Sequence, residues 1–307
     1  MNRKGRGSTS LSFGHVGWRR IVLLFTAAFF VAWFPFRGTP AAWSVVLIAI
    51  TSLSLSALIL ASLSARQFGQ GEPARLLWWM VALIGLTDTL VAVAFTLPGV
   101  VGMFKAAGVF TVVTTAIGSL SRIALAVALW MMIRVYRKGG LTVHLEKLDY
   151  AAIAIFAGVA VMSVILSGSV VRATLYISSP NLINWVRLAG IPSVVALVGC
   201  SVFGVMAWKY ARQMGGGLVA KASRSIMVYA FLWVFRLGLL GALSYVYAMD
   251  PLHRPTWVRM IDFASILGAE YFLFLSASYQ HEACTSDVVF DETEMEAFAQ
   301  TFGRPLA

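Results

Sequence analysis

Charge is the scarcest commodity in this 307-residue chain: only 12% of residues are Asp, Glu, Lys or Arg, about half the share in soluble domains. Histidine is nearly as rare, and His15, His144, His253 and His281 all fall in tails or loops. Paired mid-membrane haem ligands are therefore missing, which argues against a b-type cytochrome. Neither HExxH nor GxxxxGK[ST] occurs, so the usual zinc-peptidase and phosphate-cradle signatures are absent. The two cysteines, Cys200 in an apolar run and Cys284 in a polar stretch, provide no disulfide framework and no metal-ligand spacing. Ser167-Gly-Ser169 has no histidine at depth to activate a nucleophile. The expectation is a protein that is not an enzyme and carries neither metal nor cofactor.

What the chain has instead is apolar surface. Hydrophobic residues make up 59% and mean hydropathy is +0.81. Apolar stretches of roughly 18–25 residues recur along its length, the signature of membrane-spanning helices. The predicted fold class is all-α, a polytopic transmembrane helix bundle of about eight spans, at 18–36, 43–65, 76–97, 108–136, 149–168, 184–209, 224–249 and 257–279. Residues 1–17 read as a basic cytoplasmic N-tail, 18–279 as the bundle and 280–307 as an acidic cytoplasmic C-tail. The first span is short: Ile21–Phe36 reaches about 24 Å against a core of about 30 Å. Trp18 and the stems of Arg19 and Arg20 supply the missing length by snorkelling. Its rival is a signal peptide, whose cleavage near Thr39-Pro40-Ala41-Ala42 is disfavoured by the proline.

The net charge of +11 would suggest nucleic acid in a soluble protein. Its distribution argues against that, because the cations cluster between apolar segments. With the N-terminus inside, 16 of the 24 basic residues fall in cytoplasmic segments, six lie on the opposite side, and Arg122 and Arg236 sit within spans. This bias predicts both termini in the cytoplasm and a multi-pass protein of a bacterial inner membrane, with the lipid bilayer as its principal partner.

Residues 281–307 carry six acids against one base. Met295, Phe298 and Phe302 fall at i, i+3 and i+7, one face of a short helix. Two readings compete: an acidic tail lying on its own basic loops, or a docking peptide for a protein partner.

The sharpest clue is charge at mid-depth. Asp88, Arg122, Arg236 and Glu270 sit near the middle of their spans, with Asp262 shallower. Each costs about 2.5–3.5 kcal/mol at a helix centre on insertion scales, so each must face protein or water. Ser225, Tyr229, Arg236 and Tyr247 lie within about 20° of one line on their helix. Thr111 and Thr115 line up with Arg122 in the same way. Gly85 and Ala92 flank Asp88 and permit close helix approach, and Asp262 and Glu270 address one interior region. These residues define a path for a small polar or ionic solute, with Glu270 as its protonatable group unless Arg236 pairs with it. The alternative is a non-catalytic subunit or sensor, in which Asp–Arg pairs and tyrosine hydroxyls merely hold helix order.

Three further features carry local expectations. Ser52, Ser54, Ser56, Ser62 and Ser64 should form a small-residue packing face or bond back to their own helix. Pro192 should kink or unwind its helix, and the loop 168–183 should be long enough to cap a cavity. Finally, Ala65-Arg-Gln-Phe-Gly-Gln-Gly and Ala211-Arg-Gln-Met-Gly-Gly-Gly share five of seven letters. Duplication into two parallel halves and ordinary helix-exit chemistry both account for that echo.

Overall fold

The computed structural model describes residues 40–96, 109–175, 180–214, 217–246 and 256–285. Among them the chain is all-helical, with no strand: α1 (Pro40–Gln67), α2 (Pro73–Thr96), α3 (Val109–Lys138), α4 (Lys147–Leu175), α5 (Pro180–Gln213), α6 (Leu218–Val246) and α7 (Thr256–Thr285). Six contain segments long and apolar enough to cross a membrane: Val46–Gln67, Pro73–Val93, Val113–Lys138, Ile191–Gln213, Leu218–Arg236 and Met260–Thr285. These seven helices correspond to the second to eighth predicted spans. The first, 18–36, and the tail bearing Met295, Phe298 and Phe302 lie outside the described residues.

Helix ends follow local chemistry. Pro40, Pro73 and Pro180 each occupy a first helical position, where the missing amide has no intrahelical partner to lose. At the end of α3, Gly140 turns to φ 83°. Its amide donates to Arg137 O (3.1 Å) while that of Leu141 donates to Tyr136 O (3.2 Å), the paired bonds of a Schellman stop.

One expectation needs correction. The stretch 168–183 is not a capping loop: α4 runs to Leu175 and α5 begins at Pro180, leaving only 176–179 between them. The apolar pattern marks bilayer thickness, and helices continue past it wherever backbone bonding can be kept. Pro192, expected to kink or unwind its helix, lies within a continuous one. α5 passes through it, at the cost of one i→i−4 hydrogen bond.

Helix order makes a ring. α1 packs on α2, α2 on α3, α3 on α5, α5 on α6, α6 on α7, and α7 returns to α1; α4 lies outside, against α5 and α6. Small residues share the packed face of α1 with larger ones, Val46, Ile50 and Leu53. On α1 the inward residues Ala57, Ala61 and Ala65 are fully buried, whereas Ile48, Ile59 and Leu63 face outward, 41–56% exposed. Between helices in lipid much of the gain comes from close backbone approach, which small residues on the packed face allow. Gly85 takes this furthest. A Cβ there would meet Ser54 O at 2.8 Å and Leu58 N at 2.9 Å, both backbone atoms of α1. The serine run serves its own helix: the hydroxyls of Ser52, Ser54, Ser56 and Ser64 donate to carbonyls four residues earlier.

Candidate functional site

The charged residues of α2, α3, α6 and α7 converge inside the ring at two levels. Asp262 and Glu270 mark them on α7, eight residues and hence about 12 Å apart.

The first level is a carboxyl pair. Tyr229 on α6 donates its hydroxyl to Asp88 Oδ2 on α2 at 2.7 Å, and Glu270 on α7 lies close enough to Asp88 for their charges to act on each other. Glu270 is almost wholly buried, 1% exposed, and its Oε2 has no hydrogen-bond partner among the described residues. An ionised carboxyl group only accepts hydrogen bonds. A hydrogen bond between Asp88 and Glu270 would require a proton held on one of them. The face carrying Asp88 is anchored on both sides. Thr89 donates to Ser54 Oγ of α1 (3.0 Å), and the Thr87 hydroxyl meets that of Ser121 on α3.

The second level is an ion pair. Arg236 Nε donates to Asp262 Oδ1 at 2.6 Å, with side chains 20% and 13% exposed. Trp233 on α6 has two guanidinium groups near its ring: Arg236 Cζ is 4.9 Å and Arg122 Cζ 5.7 Å from its centroid. Cations over an indole face are attracted by the ring quadrupole, more so where water is excluded. Arg122 also hydrogen-bonds Ser193 Oγ on α5, while its Nε is buried without a partner among the described residues. Its guanidinium lies over Gly118, where a Cβ would meet it at 3.8–3.9 Å. Both guanidinium groups are close enough to Asp88 to act on its charge.

Asp88, Arg122, Tyr229, Arg236, Asp262 and Glu270 are thus brought into one interior region, while Tyr247 lies outside the described residues. The pairing differs from a simple exchange of two acids with two bases. Arg236 takes the shallow Asp262, leaving Glu270 near Asp88, and Arg122 has a hydroxyl rather than a carboxylate. Trp233 and Ser193 were not singled out in the sequence. Trp233 had a legible signal, since it lies four residues after Tyr229 and three before Arg236 on one helix face. Ser193 had none beyond its place beside Pro192.

A second ionic cluster ties α4 to α5 near the short turns. Lys209 Nζ pairs with Asp149, and with Glu146 Oε1 at 3.3 Å, and donates to His144 O at 3.1 Å. Asp149 Oδ2 also accepts from the amide of Glu146 at 2.6 Å, capping α4.

No family model, curated protein or solved structure matches the chain. The functional reading therefore rests on this geometry.

Proposed function

We propose that the protein moves a small polar or ionic solute across a bacterial inner membrane, coupled to protons, with the Asp88–Glu270 pair as the protonation site. One observation carries the reading. Glu270 of α7 is buried, its Oε2 has no hydrogen-bond partner among the described residues, and it lies near Asp88 of α2, itself buried and bonded to Tyr229. Charge balance supports it. Asp88, Glu270 and Asp262 face Arg122 and Arg236, so the interior is neutral when the carboxyl pair holds a single proton. Releasing that proton or adding a second leaves a net charge in a low-dielectric interior, which favours the arrival or departure of a charged solute.

In this reading the chain has eight spans and no catalytic role, and the loop-charge bias places both termini in the cytoplasm. The Arg236–Asp262 pair and Trp233 hold the second level in place. Arg122, with a free Nε beside the carboxyl pair, is the group positioned to meet an anionic part of the solute.

The test uses purified protein in liposomes loaded with a pH-sensitive dye, challenged with amino acids, organic acids and polyamines. Wild type should acidify or alkalinise the lumen with one class of solute. Glu270→Gln should abolish that signal while the protein purifies and melts as wild type does. Uptake unchanged in Glu270→Gln removes the carboxyl pair from the mechanism.

A further inference from the structure

The end of the bundle that carries the short turns has a second feature, separate from the interior charges. Between the start of α2 and the end of α3 lies a cleft of about 510 Å3, lined in part by Arg75, Leu76, Trp79, Met131, Arg134 and Lys138. That size lies within the roughly 300–1,000 Å3 of small-molecule sites. Its two walls differ in chemistry. Leu76 and Trp79 present apolar surface, 43% and 36% exposed. Arg75 stands near the first turn of α2, and Arg134 and Lys138 occupy successive turns of one face of α3.

These cations are available. No ion pair among the described residues engages Arg75, Arg134 or Lys138. The one acid at the rim, Glu72, lies against the turn, where a Cβ on Gly69 would stand 3.0 Å from its Oε1. Arg134 is steadied by its guanidinium lying 4.3 Å over the ring of Trp130. The cleft also sits at a defined depth, where the apolar segments Pro73–Val93 and Val113–Lys138 begin and end. That is the level of lipid headgroups, which tryptophan and basic side chains favour.

We infer that this cleft binds a phospholipid with a net-negative headgroup. Arg75, Arg134 and Lys138 take the phosphate, and Leu76, Trp79 and Met131 receive the start of the acyl chains. Arginine is suited to the role because its planar fork grips a phosphate with two parallel hydrogen bonds. A site for free phosphate would have no use for the apolar wall.

The experiment is a titration of the purified full-length protein in mild detergent with phosphatidylglycerol or phosphatidylcholine, read by native mass spectrometry. Wild type should bind one phosphatidylglycerol in preference to phosphatidylcholine, and added inorganic phosphate should not displace it. Arg75→Gln with Arg134→Gln should weaken that binding by about thirty-fold, from roughly 1 kcal/mol per cation near the surface. Arg66→Gln with Arg212→Gln removes two charges at the same end but outside the cleft, and should leave it unchanged. Three results overturn the proposal: equal binding of the two lipids by wild type, displacement by phosphate, or equal loss in both double variants. The wild-type lipid comparison keeps the test decisive even where a variant fails to fold.

Discussion

Arg236 and Asp262 show what a single ionic contact is worth inside such a bundle. Both side chains are mostly buried, so removing either leaves a charge without its partner. Arg236→Met or Asp262→Leu alone should destabilise the protein by roughly 3 kcal/mol, the low end for buried pairs because each keeps some solvent contact. The double variant should recover most of that loss, since two apolar side chains of similar volume replace two charges. Thermal unfolding of the four proteins measures the coupling, and simple additivity would show that the pair contributes nothing. Arg236 also stacks on Trp233, so Arg236→Met should retain part of that packing where Arg236→Ala would not. The carboxyl pair obeys a different rule. No ion pair among the described residues engages Asp88 or Glu270, so replacing either carboxyl strands no ion-pair partner.

At the scale of elements, glycine position separates packing from propensity. Gly85 and Gly158 both lie within helices, yet only the first faces a neighbouring backbone. Gly85→Ala would place a methyl 2.8 Å from Ser54 O and push α1 from α2, at a cost of about 1–3 kcal/mol. It should also disturb the Thr89–Ser54 hydrogen bond that anchors the face bearing Asp88. Gly158 has nothing within 4 Å of a built Cβ. There alanine should be neutral or stabilising by up to about 1 kcal/mol, through helix propensity alone. Melting temperatures of the two variants check the contrast, and equal behaviour would mean that α1 and α2 do not approach so closely.

At the scale of the molecule, the connections after α1 and α5 join helices that the ring places side by side, whereas 139–146 leads from α3 to α4 outside it. The proposed topology puts all three together in the cytoplasm. With Cys200 and Cys284 replaced by serine, cysteines at Gln70, Thr142 and Gly217, all exposed, should react with an impermeant thiol reagent only after the cell is opened. Labelling of any of the three in intact cells, once the outer membrane is made permeable, would reverse the orientation. The echoed segments also gain a structural reading. In both, the alanine is fully buried while the following Arg-Gln pair is exposed: Ala65 and Ala211 are small residues at helix contacts, followed by polar exits. Two helices leaving one bundle at one end meet the same demands, so shared letters arise with or without duplication. The ring order maps α1, α2 and α3 onto α5, α6 and α7, but a ring threaded in chain order has that property in any case.

The sequence by itself determined the class of molecule and the elements. Apolar runs of bilayer length force helices, because backbone groups in lipid must bond within their own segment, and the seven described helices lie where those runs predicted them. It also marked which residues matter in the interior, since charges at mid-depth are too costly to face lipid. Helix ends beyond the apolar runs were not legible, which is why 168–183 read as a loop although most of it is helical. Nor was the pairing of the charges. Helical phase fixes the direction of a side chain around its own axis but not which neighbour stands opposite, at what depth or with what rotation. Only the closed ring decided that Arg236 meets Asp262, that Trp233 has two guanidinium groups near its ring, and that Asp88 and Glu270 come near each other. The physical reason is that periodicity is a property of one helix, whereas a partner is chosen by the packing of two.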